Sequence, residues 1–118
     1  MKPFQFRLDP LLRIRRLKED EKQRVVGELM TQISIEQQKA LAMAESVRQQ
    51  NEILTQQRAA GKIDLAWLAH YRRYVTHMQQ LINEKIEHVK QIQKRLMIAR
   101  QELAEAAKET KVLEKLKE

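Results

Sequence analysis

AAGKIDLAWL (59–68) is the stretch that decides how this chain folds. Gly61 is the natural residue to end a helix, because the position just past the last turn takes a left-handed backbone that glycine adopts without steric cost. Asp64 is a natural helix N-cap, its carboxylate accepting from the unpaired N–H groups of a first turn. A stop and a start so close together make GKID (61–64) a tight turn between two helices. Helix 1 is then expected over about residues 10–60 and helix 2 over about residues 65–117.

The start of helix 1 is read at Asp9-Pro10, with Asp9 as cap and Pro10 at the first helical position, where its missing N–H costs nothing. Ahead of it the alternation Phe4, Phe6, Leu8 predicts a short extended arm. After Pro10 the chain has no proline, so the strongest helix breaker is absent from all that follows.

Both helices carry an apolar seam in steps of three and four. In helix 1 it runs Val26, Leu29, Ile33, Glu36, Ala40, Met43, Val47, Gln50, Leu54. In helix 2 it runs Leu68, Tyr71, Val75, Met78, Ile82, Lys85, Val89, Ile92, Leu96, Ala99, Leu103, Ala106, Thr110, Leu113. This spacing is the signature of a coiled coil. With so short a link the helices must run antiparallel. The expected fold is therefore all-α: one domain over residues 1–118, two long helices forming an antiparallel intramolecular coiled-coil hairpin.

Antiparallel seams set paired residue numbers to a constant sum, here 118 or 125. A sum of 118 centres the turn on Ala59, inside helix 1; a sum of 125 centres it within GKID, which favours 125. The pairs are then Leu54 with Tyr71, Val47 with Met78, Met43 with Ile82, Ile33 with Ile92, Leu29 with Leu96 and Leu12 with Leu113. Lys85 faces the small Ala40 and Glu36 faces Val89 in the adjacent layer. Two readings stand for this charged pair: that Glu36 and Lys85 set the register, or that both reach out to water.

The composition fits a narrow seam and excludes a thick core. A third of the residues are charged, there are two glycines, two prolines and five aromatic residues, and cysteine is absent. The absence of cysteine fits a reducing compartment. The N-terminus lacks an apolar signal region, and no run approaches a membrane span, so the chain is expected in the cytoplasm. Its net charge of +7 divides into +3 for residues 1–60 and +4 for residues 61–118, favouring acidic partners without selecting one class.

Two places depart from a plain hairpin. Trp67, Tyr74 and Leu81 recur every seven residues on the flank of helix 2, beside the seam residue Tyr71. They either widen the seam near the turn, Tyr74 on Ile53 and Leu81 on Ser46, or offer an apolar strip to a partner. At the end carrying both chain termini, Leu11, Leu12, Ile14 and Leu17 spread over more than half of the helix circumference, where one partner helix needs a stripe of about 100°. Arg7, Arg13, Arg15, Arg16 and Lys18 are interleaved with them, and Val112, Leu113, Leu116, Lys111, Lys115 and Lys117 join from helix 2. Either the Phe4/Phe6 arm folds back to cover this end, or it enters another protein's socket. Between, the polar run KEDEKQR (18–24) faces the alanine-rich QELAEAA (101–107), so the seam thins there.

No catalytic, cofactor-binding or metal-binding set is read from the sequence. His70 and His77 are about 10 Å apart along a helix axis, no glycine-rich phosphate loop is present, and a two-helix pair offers no dry pocket to shift a carboxylate. The chain is read as a non-enzyme with no small-molecule substrate, a monomer when free.

FQFRLDPLLRIRRLKEDE (4–21), YRRYVTHMQQLI (71–82) and KVLEKLKE (111–118) together resemble the flagellar export protein family FliJ. The resemblance implies a soluble coiled coil similar to the central shaft of rotary ATPases. It implies three partners: the hexameric flagellar export ATPase, whose ring assembly and ATP hydrolysis it promotes; the membrane export gate; and empty export chaperones. Carried over by position, the ATPase-facing residues are Leu8, Leu11, Leu12, Arg13, Arg16, Val112, Leu113 and Leu116. The gate-facing residues are Tyr74, Met78, Leu81 and Lys85. The chain is then cytoplasmic and peripherally associated with the membrane export apparatus. It stops at KLKE in mid-period, where family members commonly continue, and the expectation is of a piece of a longer chain. The rival readings are a stalk of a virulence-type secretion system, a generic coiled-coil tether, and a basic nucleic-acid binder. The last is disfavoured because acidic residues are interspersed throughout.

Overall fold

A computed structural model describes residues 3–118. Its two helices are α1 (Pro3–Ala59) and α2 (Leu65–Lys117), and no strand occurs among the described residues. They meet at the expected turn. Gly61 has φ 68°, its N–H reaches the Arg58 carbonyl at 3.1 Å, and the Lys62 N–H reaches the Gln57 carbonyl at 3.0 Å. Those two bonds form a Schellman motif, which satisfies the last carbonyls of α1. Asp64 Oδ1 accepts from the Ala66 N–H at 2.9 Å and caps α2.

The other end of α1 differs from the expectation. The helix does not begin at Asp9-Pro10; it runs from Pro3 with Pro10 inside it. Residues 3–8 are helical rather than an extended arm. A proline this close to a helix start forfeits one backbone hydrogen bond and crowds the preceding turn. Against that cost stands burial: Leu8 and Leu12, either side of it, pack inward, Leu12 to 2% exposure. Burying two leucine side chains stabilises by about 1.5–3 kcal/mol each. Asp9 does not cap α1; its carboxylate pairs with Lys117 of α2. The folding back of the Phe4 and Phe6 side chains lies outside the described residues.

The chain divides into two compact units. The terminal unit takes residues 1–32 and 92–118 and so holds both chain ends. The turn unit takes residues 33–91. Each contains a stretch of α1 packed antiparallel on a stretch of α2. In the terminal unit Ile92, Leu96, Ala99, Ala106 and Leu12 are buried; in the turn unit Leu54 and Val89 are. Every residue assigned to the seam by its spacing is buried or half-buried.

The spacing holds beyond those residues. Leu8, Leu12, Arg15, Glu19 and Lys22 continue it to the start of α1, all buried or half-buried. Thr110, 4% exposed, meets the needs of its hydroxyl by donating to the Ala106 carbonyl at 3.0 Å. The register is legible in the polar pairs inside each unit. Paired residue numbers add up to between 121 (Glu36 with Lys85) and 130 (Arg16 with Glu114), bracketing 125 and leaving out 118.

Candidate functional site

In the terminal unit, the eight residues that the resemblance assigns to ATPase contact fall into two groups. Leu8 and Leu12 are buried and Leu113 is half-buried. Leu8 and Leu12 pack inward between the helices, and Leu113 keeps part of its side chain accessible. Leu11, Val112 and Leu116 are exposed, as are Arg13 and Arg16. Two large apolar side chains outside that set are more open than any in it: Ile14 at 60% and Leu17 at 62%. Five exposed apolar side chains thus gather where α1 begins and α2 ends.

The charges there are unequal. Residues 1–18 and 108–118 contain ten Lys/Arg against four Asp/Glu, a balance of +6 out of the chain's +7. Residue halves conceal this, because the two ends of the sequence come together only on folding. The acidic residues are largely consumed. Glu109 binds Arg15 at 2.9 Å and Lys18 at 3.5 Å, Glu114 binds Arg16 at 3.3 Å, and Asp9 binds Lys117. Among the described residues Arg7, Arg13, Lys108, Lys111 and Lys115 keep no ionic partner, and all five are exposed. Further along, Lys22 reaches Glu102 at 3.0 Å. Charge thus joins the helices where the apolar seam thins.

In the turn unit, the four residues assigned to the gate are all half-buried. Met78 lies in the seam. Lys85 is engaged: its ammonium donates to Glu36 Oε2 at 2.7 Å. Glu36 is a buried carboxylate, 7% exposed, and Lys39 and His88 Nδ1 also stand 3.5 Å from its oxygens. The hydrogen bond from Lys85 holds the Glu36 carboxyl below its ordinary value of 4.5, against the opposing effect of burial. Glu36 and Lys85 are thus paired with each other rather than both reaching out to water. Tyr74 and Leu81 are neither fully covered nor open, and part of each side chain stays accessible. Trp67 stacks on Tyr71 with ring centroids 5.3 Å apart, and the Tyr71 hydroxyl donates to Asn51 Oδ1.

Two features escaped the spacing argument. Glu21–Arg24–Glu28 and Glu45–Arg48–Glu52 form the same ionic clamp along α1, each arginine bridging one carboxylate three residues before it and one four after. Hydrogen bonding to Glu21 and Glu45 raises the already high pKa of each arginine and lowers that of each of those carboxyls. The repeated E-x-x-R-x-x-x-E pattern signals this once looked for. The second feature is a pair of exposed side chains at the turn, Ile63 and Leu65. No helix among the described residues is long and apolar enough to cross a membrane.

This arrangement has the character of an interaction protein: narrow seams, two exposed apolar ends and unpaired cations. Residues 4–118 match the family model described as Flagellar FliJ protein. No curated protein and no solved structure matches the chain.

Proposed function

The chain belongs to the flagellar FliJ family, which makes it a component of the flagellar protein export machinery, and we propose that it serves there as the coiled-coil shaft of the export ATPase. In this reading the end bearing both chain termini enters the hexameric ring and promotes its assembly and ATP hydrolysis. The turn unit's flank, through Tyr74 and Leu81, meets the export gate. The partner performs the catalysis and the chain supplies a surface.

The observation that carries the reading is the terminal unit's end. Leu11, Ile14, Leu17, Val112 and Leu116 are exposed there beside five cations that have no ionic partner among the described residues. Apolar anchors ringed by unpaired charge are what a protein socket recognises: the anchors supply affinity, and the charges steer approach and fix orientation. Handling of empty export chaperones belongs to this proposal too, supported by the family membership and by no feature of the two units.

Burial also changes which substitutions test the reading. Leu12 and Leu113 support the fold, so altering them confounds binding with stability. Leu11→Asp with Leu116→Asp alters only exposed positions. Immobilised export ATPase should capture the wild-type chain and lose the double variant, with helicity unchanged by circular dichroism. Equal capture of both would remove the terminal unit from the ATPase contact.

A further inference from the structure

We propose that the turn between the helices is a lipid-contacting tip that seats on anionic phospholipid at the membrane surface. The inference stands on the turn unit alone and does not depend on the ATPase reading. Leu65 is the most exposed large apolar residue described, at 78%, and Ile63, two residues before it, is 43% exposed. Neither has a role in the seam. Two neighbouring large apolar side chains are thus left open to water at the turn.

Their surroundings are graded. Trp67, half-buried and stacked on Tyr71, comes in the first turn of α2. Lys62 lies beside Ile63 in the turn, Arg58 in the last turn of α1, and Arg72 and Arg73 further along α2; all four are exposed and, among the described residues, without an ionic partner. Residues 53–77 contain one acidic residue against these four cations. That residue, Asp64, spends its carboxylate on the Ala66 N–H as the cap of α2. Asp64 keeps its charge as it accepts that bond, so the balance over residues 53–77 is +3, four cations against one carboxylate, which still attracts an anionic surface.

From the turn inward come Ile63, Leu65 and Lys62, then the indole, then Arg72 and Arg73 about 10 Å back along α2 from Leu65; this suits a bilayer interface, with apolar side chains at the acyl boundary, a lysine reaching outward, and arginines at the level of phosphate and carboxylate charge. The backbone also limits the depth. Residues 62–64 lie outside both helices, and non-helical backbone exposed to lipid does not enter the hydrocarbon core. The contact is therefore interfacial, with Ile63 and Leu65 at the acyl boundary.

Trp67 is the chain's one tryptophan and reports on this tip without a label. The full chain is mixed with phosphatidylcholine vesicles, with and without phosphatidylserine, and with vesicles carrying brominated acyl chains. The expected result is binding that requires phosphatidylserine, with Trp67 fluorescence quenched by the brominated lipid. Ile63→Asp with Leu65→Asp should remove the quenching while circular dichroism stays unchanged. Lys62→Ala with Arg72→Ala should lower partitioning on the order of twentyfold, about fivefold for each cation. Absence of binding, or binding indifferent to phosphatidylserine, would overturn the proposal. So would binding that survives the Ile63/Leu65 change and is lost in Leu11→Asp with Ile14→Asp, which would move the lipid contact to the terminal unit. A Trp67 shift with poly-glutamate but not with vesicles would assign the tip to an acidic protein and overturn it equally.

Discussion

The terminal unit and the turn unit share one spacing rule and are held by different forces. In the terminal unit, five cross-helix ion pairs tie α1 to α2 among the described residues, and the seam positions Arg15, Glu19 and Lys22 are charged. In the turn unit the seam is apolar and aromatic, and its cross-helix charge converges on one buried carboxylate, Glu36. Among the described residues both units leave cations without an ionic partner, in each case outside the seam. The difference teaches that a 3–4 repeat fixes how helices face each other but not what holds them or what they leave available.

The largest effect should fall on Leu12. Were the terminal unit held by charge alone, Leu12→Ala would be mild. Its 2% exposure instead predicts a loss of about 2–5 kcal/mol, measured by urea denaturation and comparable to Leu54→Ala in the turn unit. A loss below about 1 kcal/mol would mean that ion pairs carry the terminal unit.

Next comes Gly61→Ala. The glycine is at φ 68°, where a side chain is strained, so the substitution should cost about 1–2 kcal/mol with no loss from contact, since nothing stands within 4 Å of the added carbon.

Acid should separate the two units through Glu36. Its pKa is lowered on folding by the hydrogen bond from Lys85. Its contribution to stability is therefore present above the ordinary glutamate pKa of 4.5 and is lost as pH falls through the lowered folded value. Glu36→Gln should flatten the part of the acid-induced loss that begins below that pKa, read from melting temperatures across an acid series. An unchanged acid profile would show that Glu36 gains nothing from its cations.

The smallest effect belongs to the exposed pairs of the terminal unit. Glu109→Gln removes the partner of both Arg15 and Lys18, groups more than a third exposed. Solvent screens such pairs, so the cost should be about 0.2–1 kcal/mol and should shrink in high salt. A salt-independent cost would contradict the division between the units.

Much of this was legible in the residues. Gly61 and Asp64 mark the turn because each supplies local backbone chemistry that needs no distant partner. The seam is legible because its spacing is periodic, and the register because the turn's centre selects one sum. Asp9-Pro10 misled for the same reason that GKID did not: it is a good local start signal, but Leu8 and Leu12 have tertiary partners on α2 that carry the helix past it. The candidate site was less legible. Net charge counts residues, whereas unpaired charge depends on which carboxylate each cation meets across the seam. Glu109 consuming Arg15 and Lys18, while Arg7, Arg13 and Lys111 find no ionic partner among the described residues, follows only from side-chain positions. The same holds for Leu12, whose apolar character could not show whether it packs inward or faces a partner.

The most direct test of the shaft reading is ATP hydrolysis by the hexameric flagellar export ATPase as the chain is titrated in, wild type beside Leu11→Asp with Val112→Asp and Leu116→Asp. The wild-type chain should stimulate hydrolysis and the triple variant, still helical, should not. Equal stimulation by both would contradict the assignment of the terminal unit's exposed end to the ATPase.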